Sequence, residues 1–228
     1  MEKEIIEKLA RSVLFRGFSH SEIGEIVLSI QGVVQTVEKG TRLVEEGDPP
    51  SHAGIVLEGS LHAVKTYRNG ANNIMDYVYP SMVYGLDMLL TTTKTSSLAI
   101  ESIMQTRILT FPFPGLHAFD VFDGETKMRL YENIMNYLAN ENIRKQRKVE
   151  IVSQSGLRDR IWTYLGILYV RKHAAGFTIP FSREQLADYL CVNRSALSHE
   201  LSLMRKEGLI DFKKNAFVIL DLSHVQNM

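Results

Sequence analysis

Apolar residues recur every three or four positions in the first thirty residues of the chain. Ile5, Leu9 and Val13 follow this spacing, and after a break it returns around Ile23 and Ile30. Such spacing places apolar side chains on one face of an α-helix, whose period is 3.6 residues. The pattern therefore predicts two short helices ahead of residue 33.

Between Val33 and Phe113 the pattern changes to short runs rich in β-branched and aromatic residues, which glycines and prolines separate. Runs of this kind predict the strands of an antiparallel β domain. The Asn69-Gly70 pair favours a hairpin, because these residues tolerate the positive φ angles of a tight turn. The predicted strands are Val33–Val37, Thr41–Glu45, Gly54–Leu57, Ser60–Tyr67, Ile74–Tyr79, Ser97–Ile103 and Thr106–Phe111.

A long helix is predicted from Gly124 to about Ser153, because this stretch has no proline and no internal glycine. At 1.5 Å per residue it would be ~40 Å long, which is more than one small β domain can cover. We therefore expect part of its stripe to face a second copy of the chain, the alternative being a helix packed wholly within its own chain. The stripe, at spacings of three and four, consists of Met128, Tyr131, Met135, Leu138 and Asn142.

The last third of the chain predicts a helix over Leu157–Lys172 and then two shorter helices. Ser182 and Gln185 form a capping box for the first of these, and Asn193 can cap the second, Arg194–Lys206. Two short strands follow, Ile210–Lys213 and Phe217–Leu220. Helix, short turn, helix and β wing together describe a winged helix-turn-helix.

Composition limits the classes of protein that fit this pattern. The 228 residues are 45% hydrophobic and 23% charged, as in folded proteins of one large or two ordinary domains. The longest apolar runs are shorter than the ~20 residues that a membrane-spanning helix needs, and the acidic start differs from a signal peptide. We therefore expect a cytoplasmic protein without a membrane partner. The single cysteine, Cys191, excludes an intrachain disulfide, an iron–sulfur cluster and a multi-cysteine zinc site.

The net charge of zero hides a separation of charge along the chain. Residues 1–139 carry 12 basic and 17 acidic side chains, a balance of −5, whereas residues 140–228 carry 14 and 9, a balance of +5. A basic part suits a polyanion such as nucleic acid, because phosphate contacts release counterions. The alternative is ordinary scatter of surface charge.

The second helix of a helix-turn-helix presents its exposed side to base edges. Leu197 and Leu201 share its inward face, so polar residues remain for the DNA groove, and Arg194 can bind guanine through two hydrogen bonds. The residues predicted to contact bases are Arg194, Ser195, Ser198 and His199. Those predicted to contact phosphates, from the preceding helix and the wing, are Ser182, Arg183, Lys213 and Lys214. For each the alternative is a solvated surface position, and for Ser182 it is helix capping alone.

The order of these parts resembles the Crp/Fnr family of bacterial transcription regulators over essentially the whole chain. Residues 182–201, with Glu207-Gly208-Leu209-Ile210, are similar to the family's DNA-reading region. Further similar segments are Lys39-Gly40-Thr41, Glu46-Gly47-Asp48 and Leu57-Glu58-Gly59-Ser60-Leu61 in the β roll, and Leu157-Arg158-Asp159-Arg160-Ile161 before the DNA-reading helices.

The resemblance implies an α+β protein in three parts. Residues 1–123 would form an effector-sensing domain, an antiparallel double-stranded β-helix of jelly-roll-like form preceded by the N-terminal helices. Residues 124–153 would form a long dimerisation helix and linker. Residues 154–228 would form a winged helix-turn-helix domain that binds DNA. It also implies a homodimer, double-stranded DNA with a two-fold-related site and contact with RNA polymerase. The alternatives are a small-molecule sensor acting through protein contacts, or a constitutive DNA binder with a non-sensing roll.

The effector region departs from the family members that bind cyclic AMP. Those members carry a glutamate for the ribose and an arginine for the phosphate, where this chain has Gly85-Leu86 and Ser96-Ser97. Without these charged side chains, the phosphate charge of a buried cyclic nucleotide and its ribose hydroxyls would be poorly compensated. We therefore expect a less charged small molecule, or no effector, with a pocket lined by Gly85, Leu86, Ser96 and Ser97.

The sequence leaves one cofactor open and contains no recognisable catalytic motif. Haem stays open, because His52, His62 or His117 could ligate iron, although scattered histidines are more often ordinary surface or core residues. No phosphate-binding loop, zinc-protease motif or hydrolase elbow occurs, so we expect no catalytic site and no metal site.

The DNA-reading helix also departs from the family. Ser195 and His199 stand where the family commonly has Glu and Arg, so we do not expect this chain to recognise the family's usual DNA half-site.

Overall fold

A computed structural model describes residues 2–49, 51–68, 72–93, 95–113, 119–179 and 181–225. The chain forms two compact units, residues 1–141 and 142–228. The long helix, which the sequence predicts as a part of its own, is divided between these two units. No helix of the described residues is both long and apolar enough to cross a bilayer.

Unit 1 begins with the two predicted helices, α1 (Lys3–Leu9) and α2 (His20–Ser29), with a short 3-10 helix over Val13–Phe15 between them. Ser19 begins α2 with a capping box: its hydroxyl accepts from the backbone N–H of Glu22 at 3.3 Å, and the Glu22 carboxylate accepts from the Ser19 N–H at 2.6 Å. These reciprocal bonds satisfy amides that a helix start leaves unpaired.

The roll of unit 1 is built from the strands β1 (Val33–Val37), β2 (Arg42–Val44), β3 (His52–Glu58), β4 (Leu61–Thr66), β5 (Asn72–Val78), β6 (Val83–Tyr84), β7 (Ala99–Ser102) and β8 (Thr106–Pro112). They form two four-stranded antiparallel sheets, in the orders β1-β8-β3-β6 and β2-β7-β4-β5. This jelly-roll-like order confirms the predicted fold class. Strands β4 and β5 pair directly, as the hairpin prediction requires, and residues 69–71 of the predicted turn lie outside the described residues.

Buried side chains from both sheets fill the interior of the roll. One cluster contains Val56, Leu61, Ile108, Tyr84 and Met88. Met88 comes from α3 (Leu86–Leu89), a single turn of helix that follows β6. Neither β6 nor α3 is predicted from the sequence, because elements of two and four residues are too short to show a period.

The long helix α4 (Gly124–Val152) confirms the predicted element. Asp123 precedes it and accepts from the backbone N–H groups of Glu125 and Thr126 at 2.9 and 3.0 Å. The early turns of α4 belong to the core of unit 1 with Leu130, Ile134 and Tyr137. This part of the helix is therefore an integral element of unit 1.

Unit 2 completes the predicted winged helix-turn-helix. Its elements are α5 (Leu157–Lys172), β9 (Gly176–Thr178), α6 (Arg183–Tyr189), α7 (Arg194–Lys206), β10 (Ile210–Lys213), β11 (Ala216–Ile219) and a 3-10 helix over Leu222–His224. The wing sheet has three strands in the order β10-β11-β9, one more than predicted. The added strand, β9, is three residues long and pairs with β11. Its own sequence is too short to predict a strand, and the hydrogen bonds to β11 identify it.

Candidate nucleic-acid interface

Helix α7 has one fully buried face and one polar face. Leu197, Leu201 and Met204 are completely buried, as the spacing predicts. Of the residues predicted to contact bases, Arg194, Ser195 and His199 are exposed and Ser198 is partly buried, all within the first two turns of the helix. This arrangement leaves the predicted base-contacting residues accessible, and the contacts themselves stay predictions.

The turn between α6 and α7 places Asn193 at the N-cap of α7, in an extended conformation. Asn193 thus occupies the predicted cap position, but its side chain accepts no hydrogen bond from the backbone N–H groups of α7. The capping box at Ser182 is confirmed: its hydroxyl accepts from the Gln185 N–H at 3.2 Å, and the Gln185 side chain accepts from the Ser182 N–H at 2.8 Å. The Ser182 hydroxyl thus has a structural role, and its phosphate contact stays a prediction.

Arg183 and the wing lysines, all predicted phosphate ligands, lie in different environments. Lys213 and Lys214 are exposed at the end of β10, and Lys214 has a φ of 56°, in the left-handed region typical of tight turns. Arg183 is partly buried, and its guanidinium lies 4.9 and 5.5 Å from the ring centroids of Phe212 and Phe217. Desolvation lowers the pKa of Arg183 from its usual value.

Two arginines of α5 fix the helix-turn-helix in place. Arg158 donates from Nε to Glu200 of α7 at 2.5 Å and also pairs with Glu207. Arg160 donates to the backbone oxygens of Gln154 and Leu190 at 2.9 and 3.1 Å. The sequence assigns neither arginine a predicted role. The available signal is two cations on either side of Asp159 in the first turn of a helix whose middle, residues 161–170, is mainly apolar.

The predicted dimer stripe of α4 divides into two kinds of position. Tyr131 and Leu138 are partly buried against the core of unit 1. Met128, Met135 and Asn142 are exposed, the two methionines at 57% and 60%. Positions seven residues apart share a face on a helix, so the outward residues form a line of their own, and self-association stays a prediction.

The four residues predicted to line an effector pocket are mostly held by internal contacts. Gly85 has a φ of +79°, and a Cβ there would lie 2.9 Å from the His52 carbonyl oxygen. Leu86 and Ser96 are each only 1% exposed, and the Ser96 hydroxyl donates to the Leu98 carbonyl and lies 3.0 Å from the Met88 sulfur. Ser97 alone is exposed. A ligand that used Leu86 or Ser96 would have to displace this packing.

The possible haem ligands lie in separate surroundings. His52 is exposed and its Nδ1 lies 2.8 Å from the Ser51 hydroxyl. His62 is partly buried with its ring edge-on to Tyr77, at a centroid distance of 4.5 Å. His117 lies outside the described residues. Within the described ranges, no three His, Cys, Asp or Glu side chains are grouped to hold a metal ion.

Two family models match the chain, each over one unit of the fold. The Crp-like helix-turn-helix domain matches residues 159–228, and the cyclic nucleotide-binding domain matches residues 34–119. The transcriptional activator protein Anr of Pseudomonas aeruginosa is 25% identical over 190 residues, which cover 81% of this chain and 75% of that protein.

Solved structures with the same fold include a CooA mutant from Carboxydothermus hydrogenoformans. It aligns with a TM-score of 0.69 and 14% identity over 100% of this chain and 96% of that one. The c-di-GMP-responsive global regulator CLP of Xanthomonas campestris aligns with a TM-score of 0.63 and 15% identity over 88% and 99% of the two chains. At such identities these structures support the fold alone.

Proposed function

We propose that this chain, which belongs to the Crp/Fnr family of transcription regulators, binds a two-fold-related DNA site as a homodimer. The observation that carries the proposal is the division of α7 into a fully buried apolar face and an accessible polar face. Arg194 reads a guanine through two hydrogen bonds, and Ser195, Ser198 and His199 contact neighbouring base edges. The relatives are transcription regulators rather than enzymes.

The homodimer forms along α4. Met128, Met135, Asn142 and Val149 are exposed and lie seven residues apart. A seven-residue repeat of mainly apolar positions is typical of a seam between paired helices, and a single asparagine within it fixes the register. Two chains joined in this way present two α7 helices to half-sites about one turn of B-DNA, ~34 Å, apart. Contact with RNA polymerase is part of the same proposal.

The roll responds to a small molecule other than cyclic AMP, or to none. The regulator CLP, which shares this fold, is described as responsive to c-di-GMP, so the fold is compatible with effectors other than cyclic AMP. The internal packing of Leu86 and Ser96 favours the second candidate, a constitutive DNA binder with a non-sensing roll. Titration of small-molecule libraries against the whole protein separates the two, because only a sensing roll changes operator affinity on binding.

The DNA-binding proposal is tested with a fragment selected from genomic DNA and fluorescence anisotropy. Arg194→Ala is expected to weaken binding to the selected site by about 1–3 kcal/mol and to leave binding to random DNA nearly unchanged. Arg171→Ala, which removes an exposed cation from the last turn of α5, is the matched control and should bind as the wild type does. Equal binding by both variants would show that Arg194 does not contact the bases of the selected site.

Salt dependence distinguishes DNA recognition from the alternative of a sensor that acts through protein contacts. Phosphate contacts release counterions, so the affinity of a true DNA binder falls steeply with salt. A flat salt response, together with no preference between selected and random DNA, would favour the alternative.

A further inference from the structure

We infer that Arg183 is a positioning residue for the wing, which holds Lys213 and Lys214 where they meet the DNA backbone, and is not itself a phosphate ligand. This inference rests on the proposed DNA-binding function and specifies how its wing works. In this arrangement, the first helix of the helix-turn-helix holds the turn of the wing through the Arg183 side chain.

The contacts of Arg183 point to the wing. The residue opens α6, and its Nη2 donates to the carbonyl oxygen of Lys214 at 3.2 Å. The same guanidinium lies over the rings of Phe212 and Phe217, which are themselves stacked with centroids 5.6 Å apart. A planar cation is suited to such stacking, and the interaction strengthens where the cation is partly desolvated.

A second cation holds the same ring from the other helix. The guanidinium of Arg205, in the last turn of α7, lies 5.4 Å from the Phe212 centroid. Its Nε also pairs with the Asp211 carboxylate at 2.7 Å. Strand β10 is therefore tied to α6 by Arg183 and to α7 by Arg205, with Phe212 as the shared contact.

These contacts compete with phosphate binding by Arg183. A phosphate ligand presents its guanidinium to the DNA, but the Arg183 group already donates one N–H to the Lys214 carbonyl oxygen and lies over two aromatic rings. Moving it to a phosphate would give up these interactions. Lys213 and Lys214 are exposed and can reach a phosphate without such a loss.

Four variants test the inference: Arg183→Gln, Arg183→Lys, Phe212→Leu and the double variant Arg183→Gln/Phe212→Leu. Anisotropy gives operator affinity at several salt concentrations for each. If Arg183 positions the wing, Arg183→Gln and Phe212→Leu each weaken binding by about threefold to tenfold, and the double variant is no weaker than the stronger single one. Arg183→Lys fails to restore affinity, since an ammonium keeps the charge but not the stacked plane.

A phosphate ligand would behave differently. Arg183→Gln would then lower the slope of log affinity against log salt by about one, Arg183→Lys would restore most of the affinity, and Phe212→Leu would bind like the wild type. That set of results would overturn the inference. Lys214→Ala, which we expect to lower the slope by about one, calibrates the measurement.

Amide hydrogen exchange provides a readout that does not depend on DNA. Arg183→Gln should speed exchange at residues 212–217 of the wing and leave the buried centre of α7 protected. Unchanged exchange in the wing would contradict a positioning role, and loss of protection throughout unit 2 would contradict it too, because the effect would be general unfolding. If the wild type binds no DNA at any salt concentration, the proposed function fails, and the exchange experiment still decides the role of Arg183.

Discussion

Arg158 and Glu207 form an ion pair with two hydrogen bonds, in which Nη1 and Nη2 donate to the two carboxylate oxygens at 2.7 and 2.9 Å. Arg158 lies in the first turn of α5, and Glu207 directly follows α7. Paired hydrogen bonds of this kind fix orientation as well as distance. The pair therefore anchors the end of the helix that carries the proposed base-contacting residues.

The Arg158–Glu207 pair makes stability depend on pH. Its hydrogen bonds hold the pKa of Glu207 below its usual value of 4.5, so its stabilisation is complete above that value and is lost as pH falls through the lower, folded-state pKa. We expect Glu207→Gln to melt at a lower temperature than the wild type at pH 7, and the difference to shrink towards pH 3. Thermal unfolding across this range measures it, with Glu184→Gln, an exposed carboxylate on α6, as control. A difference that stays constant with pH would contradict the assignment.

Gly54 of β3 is required by the close approach of Tyr84. A Cβ at this position would lie 2.5 Å from the Tyr84 hydroxyl oxygen and 2.4 Å from the Leu109 carbonyl oxygen. Gly54→Ala is therefore expected to cost about 1–3 kcal/mol of unfolding free energy, measured by urea denaturation. Gly124→Ala is the matched control, because nothing lies within 4 Å of its added Cβ. Equal stability of the two variants would contradict this packing.

Asn133 is a buried polar link between α4 and the 3-10 helix over Val13–Phe15. Its side-chain amide donates to the carbonyl oxygens of Leu14 and Arg16 at 3.0 and 2.9 Å. Asn133→Ala removes both bonds and is expected to cost about 1–3 kcal/mol. Urea denaturation should find Asn136→Ala, at an exposed position one helical turn further along α4, close to the wild type. A loss as large for Asn136→Ala would show that helix composition, not the buried bonds, sets the effect.

The outward line on α4 gives a test of self-association. Met135 is 60% exposed, so Met135→Glu should leave the folded chain intact while placing a charge in the proposed seam. Sedimentation velocity is expected to find a dimer for the wild type and a larger fraction of monomer for this variant. Met104→Glu, at an exposed methionine of the roll, should sediment like the wild type. If Met135→Glu remains as dimeric as the control, the seam lies elsewhere.

Sequence reasoning was most successful where a residue's neighbours are near in the chain. The bounds of α7, Arg194–Lys206, agree with the prediction, because its apolar spacing and the preceding turn are local signals. The sheet orders were not predicted in detail, since β1 pairs with β8 across the length of the roll. Strand β9 was missed for a related reason, because pairing with β11 identifies it.

The roles of individual site residues depended even more on distant contacts. The sequence suggested Ser96 as a pocket residue, yet its hydroxyl is used by Leu98 and Met88 within the roll. Arg183 was identified as a cation at a helix start, but its ring partners come from strands about thirty residues later in the chain. Spacing rules describe which face a side chain occupies, and they do not describe what a remote strand places against it.

The boundary between the two compact units falls between residues 141 and 142, inside an unbroken α4. An α-helix turns by about 100° per residue, so each residue inserted or deleted at this point rotates the helical faces that follow it. A chimaera that joins the first part of α4 to the second part of a related helix must therefore keep this phase: seven inserted residues nearly restore the original face, whereas two do not. The same rule restricts which recombination events among such regulators leave a working hybrid.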